Sequence, residues 1–333
     1  MKYIKQFSAA VLSFCMLLGI APTTSAIYAA SPISVYTQTD GLTTVRQISV
    51  ADKNTLQSST ALFSAMGYTS AEANSISEAD KTALLNSTEM VGNISYYYTD
   101  ENGVTSQISE KDALAGATEL NAARSSLSWN QGARQDLENY MRVICYTANI
   151  PSQTRRNKTI VTVNLLTDPI QRHTDAIGIA INTGTVDFNS VSGSMTYNKN
   201  EWVIFGSTTV TPMSQTFNKV YAQTAIGDYG NIWYPVEFPK NYGNSNYACS
   251  YSDFIITLSC EGIMPVGTSG LASHVSTGYY AHTKNSIDLN TQLSVTAGTS
   301  GGKPEAGVTF SIAPEVAKDT IQVNCPVYLE AYY

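Results

Sequence analysis

Residues 287–297 have the sequence IDLNTQLSVTA, in which apolar and polar side chains alternate almost without exception. A period of two is typical of a β-strand that buries one face, because successive side chains point to opposite sides of a sheet. Residues 254–261, FIITLSCE, alternate in the same way, and so do residues 308–312 and 321–329. Strands with one polar face are typical of antiparallel sheets, so these stretches predict an antiparallel β-sandwich.

The residues before this β-rich part follow a different pattern. Ser77 and Asp80 mark the start of a short helix, and Ser109 precedes another. Asn102-Gly103 lies between two strand-like runs and favours a hairpin, because these residue types tolerate positive φ. The fold prediction is therefore a mainly β chain, an antiparallel β-sandwich preceded by a small α+β unit. The predicted segments are a signal peptide at 1–26, the small α+β unit at 31–124, a linker or helix at 125–140 and the β-sandwich at 141–333.

The first 26 residues predict export. Two lysines are followed by an apolar run at residues 7–21, and then by Pro22 and small residues. This order is the pattern of a secretory signal peptide, with cleavage expected after Ala26 and Ala29 as the alternative. We therefore predict that the protein is secreted.

The chain is acidic, with 19 Lys and Arg against 26 Asp and Glu and a formal net charge of -7. Its longest basic run is Arg155-Arg156. Nucleic-acid binding needs clustered cations that replace the counterions of phosphates, so no nucleic-acid partner is expected. No later apolar stretch reaches the roughly 20 residues of a membrane helix. The expected partner is an extracellular or cell-surface ligand.

Four cysteines follow the signal peptide: Cys145, Cys249, Cys260 and Cys325. An even number in an exported chain suggests two disulfides, and four buried free thiols are the alternative. The extended run up to Cys260 keeps that residue too far from Cys249 for these two to pair. We favour the pairs Cys260 with Cys325 and Cys145 with Cys249. No CxxC pair is present, so no zinc cluster is predicted.

One segment resembles a group of known proteins. Residues 166–179, LTDPIQRHTDAIGI, follow Tyr140-Met141. The region around residues 140–196 resembles uncharacterised secreted β-rich proteins of Gram-positive bacteria. The resemblance implies no activity, so function must be argued from individual residues.

Catalytic patterns are weak. Residues 298–304, GTSGGKP, place Ser300 among glycines, as trypsin-like proteases do beside their oxyanion hole. His274 and His282 are too close to that serine in sequence for this family, and the stretch joins two alternating runs, so a hairpin loop is favoured. The spacing of these histidines and Asp288 matches no standard metal site. Whether the protein is an enzyme stays open, and the favoured answer is that it is not one. No metal, cofactor or catalytic residue is predicted.

Aromatic residues are the main indication of a binding surface. Tyrosine and tryptophan near loops and strand ends can stack on sugar rings or anchor protein partners, whereas cross-strand packing is the alternative. Tyr247 and Tyr251 lie beside asparagine or serine, residue types that are common in loops and at strand ends. The predicted ligand-binding residues are Trp233, Tyr234, Tyr242, Tyr279 and Tyr280.

The favoured function is non-catalytic binding of an extracellular or cell-surface ligand by a secreted protein. The first alternative is a β-pore-forming toxin, because the Ser/Thr-rich alternating stretch at residues 287–312 suits strands that face lipid on one side. A membrane partner is expected only in that case. A secreted hydrolase is the third hypothesis.

Overall fold

The computed structural model describes much of the chain that follows the predicted signal peptide, and residues 1–26 themselves lie outside the described part. No described helix is both long and apolar enough to span a membrane. The described residues are 33–38, 40–49, 56, 58–125, 138–150, 155–169, 174–181, 184–203, 206, 208–217, 221–223, 230–244, 246–264, 271–283, 293–300, 303–312 and 320–332.

Helices and strands are unevenly distributed along the described residues, with the helices all before residue 126. The helices are α1 (Ser59–Ala65), α2 (Ser70–Ser75), α3 (Glu78–Asn86) and α4 (Glu110–Ser125). The strands are β1 (Ser34–Thr37), β2 (Thr44–Ile48), β3 (Met90–Thr99), β4 (Thr105–Ile108), β5 (Asn139–Ile150), β6 (Arg156–Leu165), β7 (Thr174–Ile181), β8 (Thr185–Val203), β9 (Thr209–Thr216), β10 (Tyr221–Gln223), β11 (Gly230–Glu237), β12 (Tyr242–Gly243), β13 (Tyr247–Ile263), β14 (Leu271–Thr283), β15 (Leu293–Ser300), β16 (Lys303–Ile312) and β17 (Thr320–Tyr332).

Three short helices begin at side chains that cap their N-termini. Ser58 accepts a backbone N–H at the start of α1. Thr69 and Glu72 form a reciprocal capping box at α2. Ser77 accepts the backbone N–H of Asp80 in α3, where the sequence predicts a helix start. Such caps satisfy N–H groups that the first turn of a helix cannot pair internally.

The strands form three antiparallel sheets in the described part of the chain. The large sheet has ten strands in the order β1-β2-β3-β5-β6-β13-β8-β9, with β4 on β3 and β12 on β13. The small sheet has the order β10-β11-β7-β14-β17, and β15 pairs with β16 as a two-stranded sheet. Each of these pairings is antiparallel. The prediction of a mainly β chain with antiparallel sheets is confirmed.

One hydrophobic cluster draws on both the large and the small sheet. Val143 of β5 and Phe254 and Leu258 of β13 belong to it, together with Ile179 of β7 and Tyr280 of β14. All five side chains are buried, and removal of their apolar surface from water stabilises the fold. The two larger sheets therefore share one core.

A second hydrophobic cluster covers the opposite face of the large sheet. Leu62 and Phe63 of α1 and Leu84 of α3 pack there with Ile144 and Tyr146 of β5. Because alternate residues of a strand point to opposite sides, β5 contributes to both cores. The central strands of the large sheet are consequently buried on both faces.

The expectation that these strands keep one face in water is wrong at the centre of the large sheet. Thr257 and Ser259, on the polar side of the alternation in residues 254–261, are buried. The hydroxyl of Ser75 in α2 lies 2.8 Å from that of Thr257, and Ser259 donates to Asp80 of α3 at 2.8 Å. Polar groups of the helices therefore replace water over this face.

The residues on either side of the predicted linker at 125–140 belong to one sheet. Strand β3 before it and β5 after it pair along ten residues. Helix α4 contacts both of these strands. Residues 126–137 lie outside the described part. The α+β elements thus extend and cover the large sheet.

The favoured disulfides, Cys260 with Cys325 and Cys145 with Cys249, are wrong, because all four cysteines are buried free thiols. Cys145, Cys260 and Cys325 lie in the core shared by the two sheets, where a free thiol packs as a small apolar group. Cys249 and Cys260 occupy the single strand β13, which agrees with the prediction that they do not pair. Burial raises the pKa of Cys260 and of Cys325 to about 12, so both thiols stay protonated at neutral pH.

Candidate functional site

Four of the five aromatic residues predicted to bind a ligand lie in the core instead. Trp233 and Tyr234 are 3% exposed in β11, and Tyr279 and Tyr280 are fully buried in β14. Both strands are interior to the small sheet, with a partner strand on each side. These side chains are therefore inaccessible to a ligand, and cross-strand packing is the correct interpretation of them.

Pro235 explains why the sequence suggests a loop at Trp233-Tyr234. The proline belongs to β11 and pairs with Ala176 of β7. In the described residues, β10 reaches only residues 231–233 of β11 and ends before the proline. Because proline cannot donate to a ladder, a proline next to two aromatic residues suggests a loop or a sheet edge when only the sequence is known.

Tyr242, the fifth predicted residue, is half exposed and lies at one end of the large sheet. Its strand β12 pairs with β13, which pairs in turn with β8 and β9 beyond it. Directly paired residues form a row across these four strands, roughly 14 Å long at the usual strand spacing. The row consists of Tyr242 in β12, Cys249 in β13, Glu201 in β8 and Thr209 in β9.

A second row lies two residues further along the same strands and therefore on the same face. It consists of Tyr251 in β13, Lys199 in β8 and Thr211 in β9. Tyr197 in β8 and Tyr247 in β13 extend the face at its two ends. We call this surface the aromatic shelf and define it by Tyr197, Lys199, Glu201, Tyr242, Tyr247 and Tyr251.

The shelf is the continuation of a buried face into solvent. Along one side of β8, Met195 is fully buried, Tyr197 is partly buried, and Val203 is 45% exposed. Tyr197 anchors the shelf to the shared core, since its ring centroid lies 5.6 Å from that of Phe254 and 5.7 Å from that of Tyr251. One end of the surface is thus fixed by packing and the other end is open.

Polar contacts fix the side chains at the open end. The Tyr247 hydroxyl donates to Glu201 Oε1 at 2.5 Å and lies 3.4 Å from the Tyr242 hydroxyl. Lys199 Nζ lies 2.9 Å from the same carboxylate oxygen. The rings of Tyr242 and Tyr247 are 5.8 Å apart and inclined by 37°. Since these rings do not stack on each other, much of the Tyr242 ring remains available for a ligand.

The ionisable groups of the shelf stabilise one another. The hydrogen bond from Tyr247, followed by that from Lys199, lowers the pKa of Glu201. The bond to Glu201 raises the pKa of Lys199 and, most strongly, that of Tyr247. The hydrogen bond with Cys249 raises the pKa of Tyr251 to about 12. At neutral pH the shelf therefore carries one compensated ion pair, and Tyr247 and Tyr251 stay protonated.

A tight turn holds the two tyrosines of the open end in place. The side-chain oxygen of Asn244 accepts the backbone N–H groups of Asn246 at 2.9 Å and of Tyr247 at 3.0 Å. The backbone N–H of Asn244 donates to Tyr247 O at 2.7 Å. Asparagine is favoured in turns because its side chain bonds the backbone two residues on. The turn fixes the connection between β12 and β13.

A histidine–carboxylate pair lies elsewhere, in the small sheet. His282 Nδ1 is 2.9 Å from Asp175 Oδ1, and the Tyr280 hydroxyl donates to the same carboxylate. A carboxylate that orients an imidazole is one part of a catalytic triad. Here all three residues are at most 3% exposed, so the pair does not face a substrate in this conformation.

The other chemical candidates from the sequence do not form a site in the described residues. Ser300 pairs with Lys303 at the end of the β15–β16 hairpin, which confirms the hairpin interpretation of residues 298–304. Within the described ranges, no group of three or more His, Cys, Asp or Glu side chains is placed to hold a metal ion. Asp288 lies outside those ranges.

Comparison with known proteins adds no further candidate. No protein-family model matches the chain, and no curated protein is significantly similar to it.

Of the residues in the aromatic shelf, the sequence-based prediction includes Tyr242 but not Lys199 or Glu201. Their stretch, YNKNEWV at residues 197–203, is rich in residues that suggest a loop. Its period of two, with Tyr197, Lys199 and Glu201 at alternate positions, is the signal that places these residues on one face.

Proposed function

We propose that the protein is secreted and binds an extracellular or cell-surface ligand through the aromatic shelf, without catalysing a reaction. The observation that carries this proposal is the half-exposed ring of Tyr242 beside the Lys199–Glu201 ion pair. Tyrosine offers a flat apolar surface and a hydroxyl while losing little side-chain entropy, which makes it frequent at recognition surfaces.

The protonation states of the shelf support binding rather than catalysis. General acid–base chemistry needs a group whose pKa lies near the working pH. Here the pKa of Glu201 is lowered, and those of Lys199 and Tyr247 are raised. All three groups keep their charge state through the neutral range, as groups that only orient a ligand should.

The test is binding of the labelled protein to an array of glycans and extracellular proteins. We expect Tyr242→Ala to lose at least one signal given by the unaltered protein. Tyr36→Ala is the matched control, since Tyr36 is 53% exposed in β1 at the opposite edge of the large sheet. Equal binding by the unaltered protein and both variants would contradict a role for the shelf.

The β-pore-forming toxin remains a second candidate, because one observation favours it. Strands β15 and β16 form a two-stranded sheet, and over residues 293–297 and 308–312 its register pairs apolar with apolar and hydroxyl with hydroxyl residues. Val295 pairs with Phe310, and Thr296 pairs with Thr309. β16 has ten residues, the length of a strand that crosses a membrane.

Dye release from phosphatidylcholine vesicles tests this candidate. A pore-former should release the dye, and Val295→Asp should abolish release because a charge opposes insertion into lipid. Thr296→Asp, one position along the same strand, is the control that should retain more activity. Absence of release from the unaltered protein would reject this candidate.

A further inference from the structure

We infer that the ligand of the aromatic shelf is a neutral polysaccharide. This inference rests on the proposed function and narrows it to one chemical class. Three features of the shelf support it: its balanced charges, the combination of an exposed aromatic ring with hydrogen-bonding side chains, and its length.

The charge balance argues against an ionic ligand. Lys199 is the cation of the shelf and Glu201 its carboxylate, and they lie 2.9 Å apart, so the pair leaves no net charge for a ligand to neutralise. The chain as a whole carries -7, which repels polyanions at long range. A ligand without charge avoids both penalties.

The side-chain types suit a molecule that is apolar on one face and rich in hydroxyls at its edges. A sugar ring presents C–H groups to an aromatic face, for which the half-exposed Tyr242 ring is available. Around it lie the Glu201 carboxylate and the Tyr247 oxygen, which already share one proton and can accept hydrogen bonds from sugar hydroxyls. Thr209 and Thr211 add exposed residues with hydroxyls on the neighbouring strand.

The shape suits a polymer rather than a small molecule. The row crosses four strands, roughly 14 Å at the usual spacing, with Tyr242 and Thr209 exposed at its two ends and Cys249 buried between them. The row ends in β9 at the edge of the sheet, and all eight residues of that strand are exposed. Successive sugar units can therefore contact the open face, whereas an enclosed ligand would need walls that an exposed strand does not supply.

Affinity gel electrophoresis with soluble polysaccharides tests the inference. The neutral probes are mixed-linkage β-glucan, galactomannan, xylan and dextran, and the anionic probe is polygalacturonate. We expect at least one neutral probe to retard the protein, and Tyr242→Ala to weaken that binding roughly tenfold or more. Trp202→Ala should bind normally, because Trp202 is exposed in β8 but points to the opposite face of the sheet from Glu201.

Glu201→Gln tests whether Glu201 acts on the ligand or only supports the fold. The substitution leaves the Lys199 cation uncompensated, so binding of the neutral probe should fall while binding of polygalacturonate rises. Retardation by polygalacturonate alone in the unaltered protein would overturn the neutral-ligand inference and leave the proposed function standing.

Two further outcomes separate the inference from the proposed function. If no polysaccharide retards the protein but a protein target on the array binds in a Tyr242-dependent way, the carbohydrate inference is wrong and the shelf is still a binding surface. If Tyr242→Ala and Trp202→Ala weaken polysaccharide binding equally, the shelf is not the site and both statements fail.

Discussion

His274 shows how the environment of one residue sets a property of the whole protein. The side chain is fully buried in β14, and a Cβ added at Gly262 would lie only 3.2 Å from its Cε1 atom. Burial lowers the pKa of His274 to about 4, because the imidazolium form loses its hydration. The folded protein therefore holds this histidine neutral.

The first prediction concerns the pH dependence of stability. In the unfolded chain His274 binds a proton near pH 6.5, whereas in the folded chain it does so near pH 4. Its contribution is thus fully present above about pH 6.5 and is lost as the pH falls towards 4, by about 3 kcal/mol. His274→Leu should flatten this part of the curve in denaturant titrations from pH 7 to pH 4. Parallel curves for the two proteins would contradict the assignment to His274.

At the scale of elements, buried polar contacts attach the helices to the large sheet. Glu72, the capping residue of α2, is fully buried and forms an ion pair with Arg142 of β5. Asn164 of β6 donates to the other carboxylate oxygen at 3.0 Å, and Lys158 of β6 pairs with Asp80 of α3. These contacts satisfy charges on a face that the helices seal from water.

The second prediction compares two glutamates that both lie in the first turn of a helix. Glu72→Gln should destabilise the protein by about 3 kcal/mol or more, because Arg142 stays buried without its counter-charge. Glu78 pairs with Lys81 but is 87% exposed, so Glu78→Gln should change stability by less than about 1 kcal/mol. Chemical denaturation measures both values. A similar loss for the two variants would show that the buried pair contributes no more than the surface pair.

Buried contacts between helices and sheet also separate what the sequence could predict from what it could not. Helix starts at Ser77 and Ser109 and the strand through Phe254 depend on local signals, and all three are confirmed. Burial of Thr257 and Ser259 was missed, because a hydroxyl that faces a helix has the same sequence pattern as one that faces water. Period-two alternation therefore identifies a strand without identifying what covers it.

The candidate site was less predictable from the sequence than the helices and strands, for a related reason. An aromatic residue beside glycine, asparagine or proline is exposed only if its strand lies at the end of a sheet, as the strand of Tyr242 does. Trp233 has a similar local sequence but lies in an interior strand. Strand order is a property of long-range pairing, which local patterns do not contain.

At the scale of the whole molecule, one sheet crosses the boundary at residues 125–140 that composition suggests. The N-terminal elements contribute β1 to β4 to the large sheet, and their helices form the second core with β5. Gly92 of β3 lies directly opposite Tyr146 of β5, and the tyrosine ring occupies the space above it. Packing across the boundary is therefore close as well as hydrogen-bonded.

The third prediction is that cutting the chain between residues 126 and 137 does not separate the two parts. With an engineered protease site placed there, the cut fragments should elute together in size-exclusion chromatography, since ten residue pairs and the second core hold them. A Cβ at Gly92 would lie 2.4 Å from the Tyr146 ring, so Gly92→Ala should make the cut fragments dissociate at a lower denaturant concentration. Fragments that separate in buffer alone would show two independent domains. Co-elution with a Gly92-sensitive midpoint would instead establish β3 and β5 as the junction of a single folded unit.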